Sequence, residues 1–371
     1  MSERFYVGTR KGLFTFEKQN DGWKQKNAEF LGIAVPNVLA DRRDGRVYAN
    51  VEHGHFGTKL HRSEDAGKSF EELDPPVYPE KPDDVADIIE PNRNEPIKWS
   101  LEKIWCLEAG GEDQPGRLWC GTLPGGLFHS DDGGDSWGLN RALWDHPDRA
   151  KWMGGGYDWP GIHSICVDPS DSKKVVIAIS CGGVWRTEND GETWEQCAHG
   201  MKYDFLPEGQ GGADPGGQDP HRMVQCQSSP DHFWVQHHCA IYRSTDGAKN
   251  WTEMENVEPS GFGFAVAVHP NDPDTAWFVP AKKDEDRFPA DGKFIVNRTR
   301  DGGQTFEALD NGLPETPAYD LVYRHALDVD ASGDRLLMGS TTGSLWISED
   351  QGDSWSHLSA HLPPVYCVRF V

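Results

Sequence analysis

No run of apolar residues in this sequence approaches the roughly 18 that a membrane helix needs, and the first residues, MSERFYVGTRKG, hold no apolar core of a secretory leader. Both absences place the expected working site in the cytosol. No two cysteines are spaced as a CxxC pair. The eight of them (Cys106, Cys120, Cys166, Cys181, Cys197, Cys226, Cys239 and Cys367) sit mostly in apolar runs such as IWCLEA and VYCVRF, so buried thiols are expected rather than disulfides or a zinc site. Positive charge is scarce: 36 Lys and Arg face 60 Asp and Glu, a net charge of −24. Such a field repels nucleic acid and anionic membranes, which makes both poor partners. What the chain has in quantity is glycine (41) and proline (25), the composition of a turn-rich all-β protein. Its 371 residues suit one large barrel or propeller, and residues 1–371 are expected to form a single one.

The stretch HSDDGGDSW at 129–137 reads at first like an acidic metal loop. It is not unique. RSEDAGKSF, RTENDGETW, RSTDGAKNW, RTRDGGQTF and ISEDQGDSW share its pattern of Ser/Thr-x-Asp/Asn-x-Gly/Ala-x-Ser/Thr/Asn-aromatic, and the six copies start at 63, 130, 187, 244, 299 and 348. Self-similarity at this period marks an array or propeller. Two strand-like runs and a short third precede each copy and a short polar run follows it, giving four strands per repeat, which is a propeller blade. The motif falls between the third and fourth strands. There glycine supplies the turn, the Asp bonds backbone N–H groups and the aromatic packs between sheets. A calcium loop would also want a bidentate Glu at its end, where this one has Trp137.

The repeat resembles the Asp box (BNR repeat) of sialidases, sortilin-type receptors, xyloglucanases and a photosystem assembly factor. That resemblance implies that the boxes are structural and lie on the face away from the active site. The stretches GGGYDWPGIHSICVDP, SCGGVWRTENDGETW, VQHHCAIYRSTDG and GFGFAVAVHPNDPDT are similar to single-propeller bacterial proteins called sialidase-like or BNR-repeat glycosyl hydrolases. The ends complete the count. PVYCVRFV has the character of an innermost strand, and residues 4–30 read as three outer strands with a degenerate box, NDGW. Joined, they predict an all-β, seven-bladed propeller whose N- and C-terminal strands share one blade.

Long connections at 74–102, 141–161, 199–221 and 281–293 should gather on the face opposite the boxes and cap an axial pocket. The middle two carry Trp152, Tyr157, Trp159, Tyr203 and Phe205 as expected exposed aromatics. Aligning GIHSICVDP with YRHALDVDA puts His163 and His325 at one register of two inner strands, roughly across the ring. His221 precedes another inner strand, and His53, His55, His237 and His238 lie at turns between second and third strands. Only one of His237 and His238 should face the axis, because successive side chains alternate. A divalent metal held by His163, His221, His238 and His325 is one expectation. Catalytic acid and base roles would fall to His163, Asp158 and Glu102, and ligand contacts to Arg10, Lys11, Trp159, Tyr157, Arg222, Gln236, His238 and Arg324. Positive groups in an acidic chain suggest an anionic or hydroxyl-rich ligand.

Classical sialidase chemistry is disfavoured. The Phe/Tyr-Arg-Ile-Pro motif is absent, with RFYVG at 4–8 the nearest string, and true sialidases have six blades. Arg10, Arg222 and Arg324 with Tyr319 or Tyr157 would be the available triad and nucleophile. Three functions remain open: binding or hydrolysis of a glycan or other polar small molecule, protein or peptide binding on the open face, or metal-dependent lyase or oxygenase chemistry.

Overall fold

The computed structural model describes residues 1–204 and 212–371. Phe205 lies outside them. Seven four-stranded antiparallel sheets make the blades of a propeller, with one extra two-stranded ribbon at Ile89–Glu90 and Glu95–Pro96. Blades one to six cover residues 34–73, 103–139, 161–196, 220–253, 263–309 and 327–359 in chain order. The seventh is assembled from both ends. Val365–Phe370 is its innermost strand, paired with Arg4–Thr9, and Gly12–Gln19 and Gly22–Glu29 complete it. Ser2 Oγ donates to the Val371 carbonyl at 2.8 Å, so the closure extends to the outermost residues. Among the described residues no helix is long and apolar enough to cross a membrane.

The six repeated turns form one hydrogen-bond pattern. The leading hydroxyl accepts from the backbone N–H four residues on, at 2.8 Å for Ser63–Gly67, 2.9 Å for Ser130–Gly134 and 3.0 Å for Thr187–Gly191. Ser244, Thr299 and Ser348 do the same for Ala248, Gly303 and Gly352. The acidic position accepts from the N–H four residues beyond it: Asp65, Asp132, Asn189, Asp246, Asp301 and Asp350 bond residues 69, 136, 193, 250, 305 and 354. The second carboxylate oxygen takes a side-chain donor, as Ser136 Oγ on Asp132 at 2.6 Å. These oxygens are spent inside their own turn, so the acidic stretch at 129–137 is built as a brace. The seventh blade has a plain two-residue turn instead, with Gln19 paired to Gly22.

Tryptophans fill the space between sheets. Trp119, Trp185, Trp234, Trp277 and Trp346, each on a second or third strand, are all but fully buried. At roughly 200 Å² apiece and about 25 cal/mol/Å², each contributes about 5 kcal/mol of gross burial. All eight cysteines are free thiols, six of them buried.

Six of the seven inner strands share an irregularity. The pairing register slips between Ala34 and Asn37, Ile104 and Cys106, Ile162 and Ser164, Pro220 and Arg222, and Gly263 and Val266, and Tyr366 is skipped opposite Gly8 and Thr9. A bulge leaves one residue outside the ladder and re-aims its side chain. The residues so released include Pro36, Trp105, His163, His221, Phe264 and Tyr366. Five of these line a cavity on the axis, and His163 lies beneath it.

Candidate functional site

The cavity, of about 600 Å³, opens where the inner strands begin. A second one, of about 350 Å³, occupies the other end of the axis, where the inner strands finish and turn back. The repeated turns belong to that second end. Their backbone bonds the adjoining turns between first and second strands, as Gly133 to the Gly116 carbonyl and Gly247 to the Asp231 carbonyl. The floor between the two cavities is built from histidine and arginine. His325 Nε2 donates to the His163 carbonyl at 2.8 Å, and Arg222 Nη1 reaches the same carbonyl at 3.3 Å.

Asp219 anchors one wall. It stands just before the inner strand Pro220–Gln225, and its Oδ1 accepts from Ser180 Oγ and the Cys181 N–H, both at 3.1 Å. Its Oδ2 faces two imidazoles, His221 Nε2 at 3.5 Å and His238 Nδ1 at 3.3 Å. Candidate metal-ligating atoms of Asp219, His221 and His238 all lie within 4.8 Å of one another. Burial alone would raise the Asp219 carboxyl, but the facing imidazoles overcome it and hold it well below the usual carboxylate range. Burial lowers His221, whereas His238, less enclosed and bonded to Asp219, is raised against its burial cost. His221 stacks on Phe264 with ring centroids 4.5 Å apart, and its Nδ1 donates to the Gly263 carbonyl at 2.7 Å.

The opposite wall is aromatic and cationic. Arg324 lies over Trp105 at 5.1 Å and over Phe264 at 5.4 Å. It is 9% exposed, and its Nε has no hydrogen-bond partner. Among the described residues no carboxylate oxygen stands within 4 Å of its guanidinium. Lys103 pairs with Glu52 and lies over Tyr157, which packs edge-on against Trp105. The run Gly154–Gly155–Gly156 carries backbone across the site. A Cβ on Gly155 would meet Cys181 Sγ at 2.6 Å, and one on Gly156 would meet Arg324 Nη2 at 3.0 Å and Trp105 at 3.1 Å. Only glycine lets the chain pass this close.

Of the residues singled out from sequence, Tyr157, His221, His238, Arg324 and His325 line this cavity. The others go elsewhere. Asp158 turns outward to Arg93 at 3.1 Å, and Glu102 is exposed at the rim, its place in the wall taken by Glu52. His163 is fully buried, bonded through Nδ1 to Ser164 Oγ at 3.0 Å and pressed well below the usual imidazole range by burial and by Arg324. It supports the floor and does not line the cavity. His325 is committed to the His163 carbonyl, so the expected four-histidine metal set reduces to His221 and His238, with Asp219 as third member.

Arg222 faces the other cavity, so it and Arg324 cannot grip one carboxylate as a sialidase-type triad would. Arg10 and Lys11 are exposed and do not line the cavity. Gln236 Nε2 is consumed by the His237 and Gly261 carbonyls. Trp152 and Trp159 are buried in the core, the latter beneath Arg93, which corrects the expectation of exposed aromatics and leaves Tyr157 as the exposed one among those described. Tyr203 bridges Gly212. His53 precedes and His55 sits within a short exposed turn at Gly54–Phe56. His237 and His238 do diverge: His237 is buried and accepts from the Asp219 N–H, while His238 faces the cavity.

Fold and site together define a seven-bladed β-propeller with a walled axial cavity. No family model matches the chain. Its curated homologues include a probable oligoxyloglucan-reducing end-specific xyloglucanase of Neosartorya fischeri, 24% identical over 284 residues, which are 69% of this chain and 32% of that protein. The chain thus spans about a third of that relative's length. Among solved structures, an ancestral GH74 enzyme is similar at a TM-score of 0.59 and 17% identity, covering 87% of this chain and 38% of that one. YCF48 bound to D1 peptide is similar at a TM-score of 0.56 and 15% identity, covering 94% and 90%. At these identities the structural likeness shows the fold alone.

Proposed function

We propose that the axial cavity is the working site and that it takes a polar small molecule carrying an anionic group, of the glycan-fragment or sugar-acid class. The observation that carries this reading is Arg324, a buried guanidinium in the cavity wall with no carboxylate within ion-pair distance among the described residues. A buried charge without a partner is costly, and a ligand carboxylate or phosphate taken bidentately would offset that cost. The volume lies within the range of small-molecule sites, and Trp105 and Tyr157 offer faces for a sugar ring. The long connections supply Asn92, residues 153–157, Asp284 and Arg287 to the wall, which supports their reading as a cap. The xyloglucanase homology agrees with a glycan-type ligand, and a sialidase-like designation would fit no further than that.

Binding is better supported than hydrolysis by paired carboxylates. The carboxylates of the cavity wall are Glu52, Asp219 and Asp284, and each faces a cationic or imidazole partner. A general acid must hold its proton near neutral pH, whereas Asp219 is held well below the carboxylate range.

Calorimetry against xyloglucan oligosaccharides and glucuronate-bearing oligosaccharides tests the reading. Acidic ligands should bind, and Arg324→Gln should weaken them by at least about tenfold, the effect of ~1.4 kcal/mol. Binding of neutral oligosaccharides alone, unaffected by Arg324→Gln, would sink it. A second reading, a peptide partner across the mouth, draws on exposed Leu31, Phe56, Val77 and Tyr319, all on connections of the cavity face. It agrees with the YCF48 likeness, and peptide binding that survives Arg324→Gln would favour it.

A further inference from the structure

We infer that Asp219, His221 and His238 form a binding site for one first-row divalent transition-metal ion, held at the wall of the axial cavity with its remaining coordination positions turned toward the cavity. The inference does not depend on the ligand class proposed above.

The argument begins with hydrogen placement. The His221 Nδ1 lies 2.7 Å from the Gly263 carbonyl, and a carbonyl has no hydrogen to give, so Nδ1 carries the proton. That leaves Nε2 as the ring's ligating atom. It stands 3.5 Å from Asp219 Oδ2, which His238 Nδ1 faces from the other side at 3.3 Å. His221 is 2% exposed and stacked on Phe264, which fixes the ring in the wall. The ligating atoms of all three residues lie within 4.8 Å of one another, the spacing that one shared cation spans.

The supporting groups are arranged as ligands require. A metal-bound imidazole ordinarily donates its other N–H to a carbonyl or carboxylate, as His221 does to Gly263. Asp219 Oδ1 is fully engaged by Ser180 Oγ and the Cys181 N–H, which leaves Oδ2 alone to face both imidazoles as a one-oxygen ligand. The backbone locks the set: Asp219 N–H donates to His237 Nε2 at 3.0 Å, and the Asp219 carbonyl accepts from the His238 N–H at 2.9 Å. Asp219 and His221 enter on one strand and His238 leaves the strand paired with it, where Pro220 opposes His237. Two imidazoles and one carboxylate suit iron(II), cobalt(II) or zinc(II), and three protein ligands leave positions open. All three residues line the cavity, so those positions face whatever enters it.

The test uses the whole chain. Protein purified without chelator is analysed for metal, then stripped and titrated with Co²⁺ while ligand-field absorption is followed. One Co²⁺ per chain is expected, displaced by Zn²⁺, with an upward shift in unfolding temperature. His238→Ala, at the less enclosed ligand, should lower Co²⁺ affinity by more than the roughly 10–100-fold that loss of an outer-shell partner costs. His221→Ala should do the same where it folds. His361→Ala, exposed and outside the cavity, should leave the titration unchanged. Absence of ligand-field bands and of any thermal shift would overturn the inference. So would a thiolate-to-cobalt charge-transfer band, which would assign the ion to one of the free cysteines, or a His238→Ala titration equal to that of the parent protein.

Discussion

His325 and His163 meet across the axis of the ring: Nε2 of the first donates to the main-chain carbonyl of the second at 2.8 Å, although 162 residues separate them. Their bond, with Arg222 on the same carbonyl, lies between the two axial cavities and forms the floor of the larger one.

Loss of this strut should be measurable. His325→Ala removes the shorter donor from a buried carbonyl, leaving only Arg222 at 3.3 Å, and should cost about 1–3 kcal/mol. Urea unfolding of the variant checks the magnitude, and a crystal structure should show the two cavities joined.

The repeated turns make the protein acid-sensitive in a defined window. Hydrogen bonds from Ser136 and Ser130 hold the Asp132 carboxyl down at about 2, and those from Ser69 and Ser63 hold Asp65 lower still. Asp301 is depressed by its own partners, Thr305 and Thr299, in the same way. A carboxyl depressed in the folded state contributes stability that is complete above the unfolded value near 3.9 and is lost as pH falls through the folded one. Urea midpoints followed by tryptophan fluorescence should hold steady above about pH 5 and decline between about pH 4 and 2.

Gly156→Val should leave the blades standing while emptying the cavity of function. Its Cβ would stand 3.0 Å from Arg324 Nη2 and 3.1 Å from Trp105, displacing the guanidinium from the wall. Thermal unfolding within a few degrees of the parent protein, together with loss of acidic-oligosaccharide binding, is the expected pair of results. Undiminished binding would show that Arg324 is not a ligand contact.

Between the blades, Trp185→Ala should cost about 3–5 kcal/mol, since the indole is fully buried and its Nε1–H donates to the Gly182 carbonyl at 2.9 Å. Denaturant unfolding measures it directly.

The frame was legible because it is periodic. Six copies of one turn reveal the blade count, and the apolar VYCVRF with no sequel reveals how the ring closes. The cavity face could be read as well, by opposition to those turns. The side chains in it were harder. Trp152 and Trp159 sit in a glycine- and charge-rich loop that reads as exposed, yet the loop folds back and buries them. Asp158 and Trp159 are neighbours in sequence, but the main chain turns one to solvent and the other to the core. Asp219 escaped notice because Asp-Pro at a loop end resembles a strand cap. Its pairing with His221, two residues on, and with the His237–His238 turn was the available signal. The bulges that release Trp105, His221 and Phe264 toward the axis have no counterpart in an alternating pattern, which assigns side chains to faces as though every strand were regular.

The closing strand Val365–Phe370 carries a further consequence through Tyr366, which lines the cavity. Six blades and most of the wall precede that strand in the chain, and the three strands of residues 4–29, paired to one another, take it as their fourth. A chain cut before residue 365 would therefore leave the ring split and the cavity wall open at Tyr366, so the integrity of the ring and that of the wall depend on one strand.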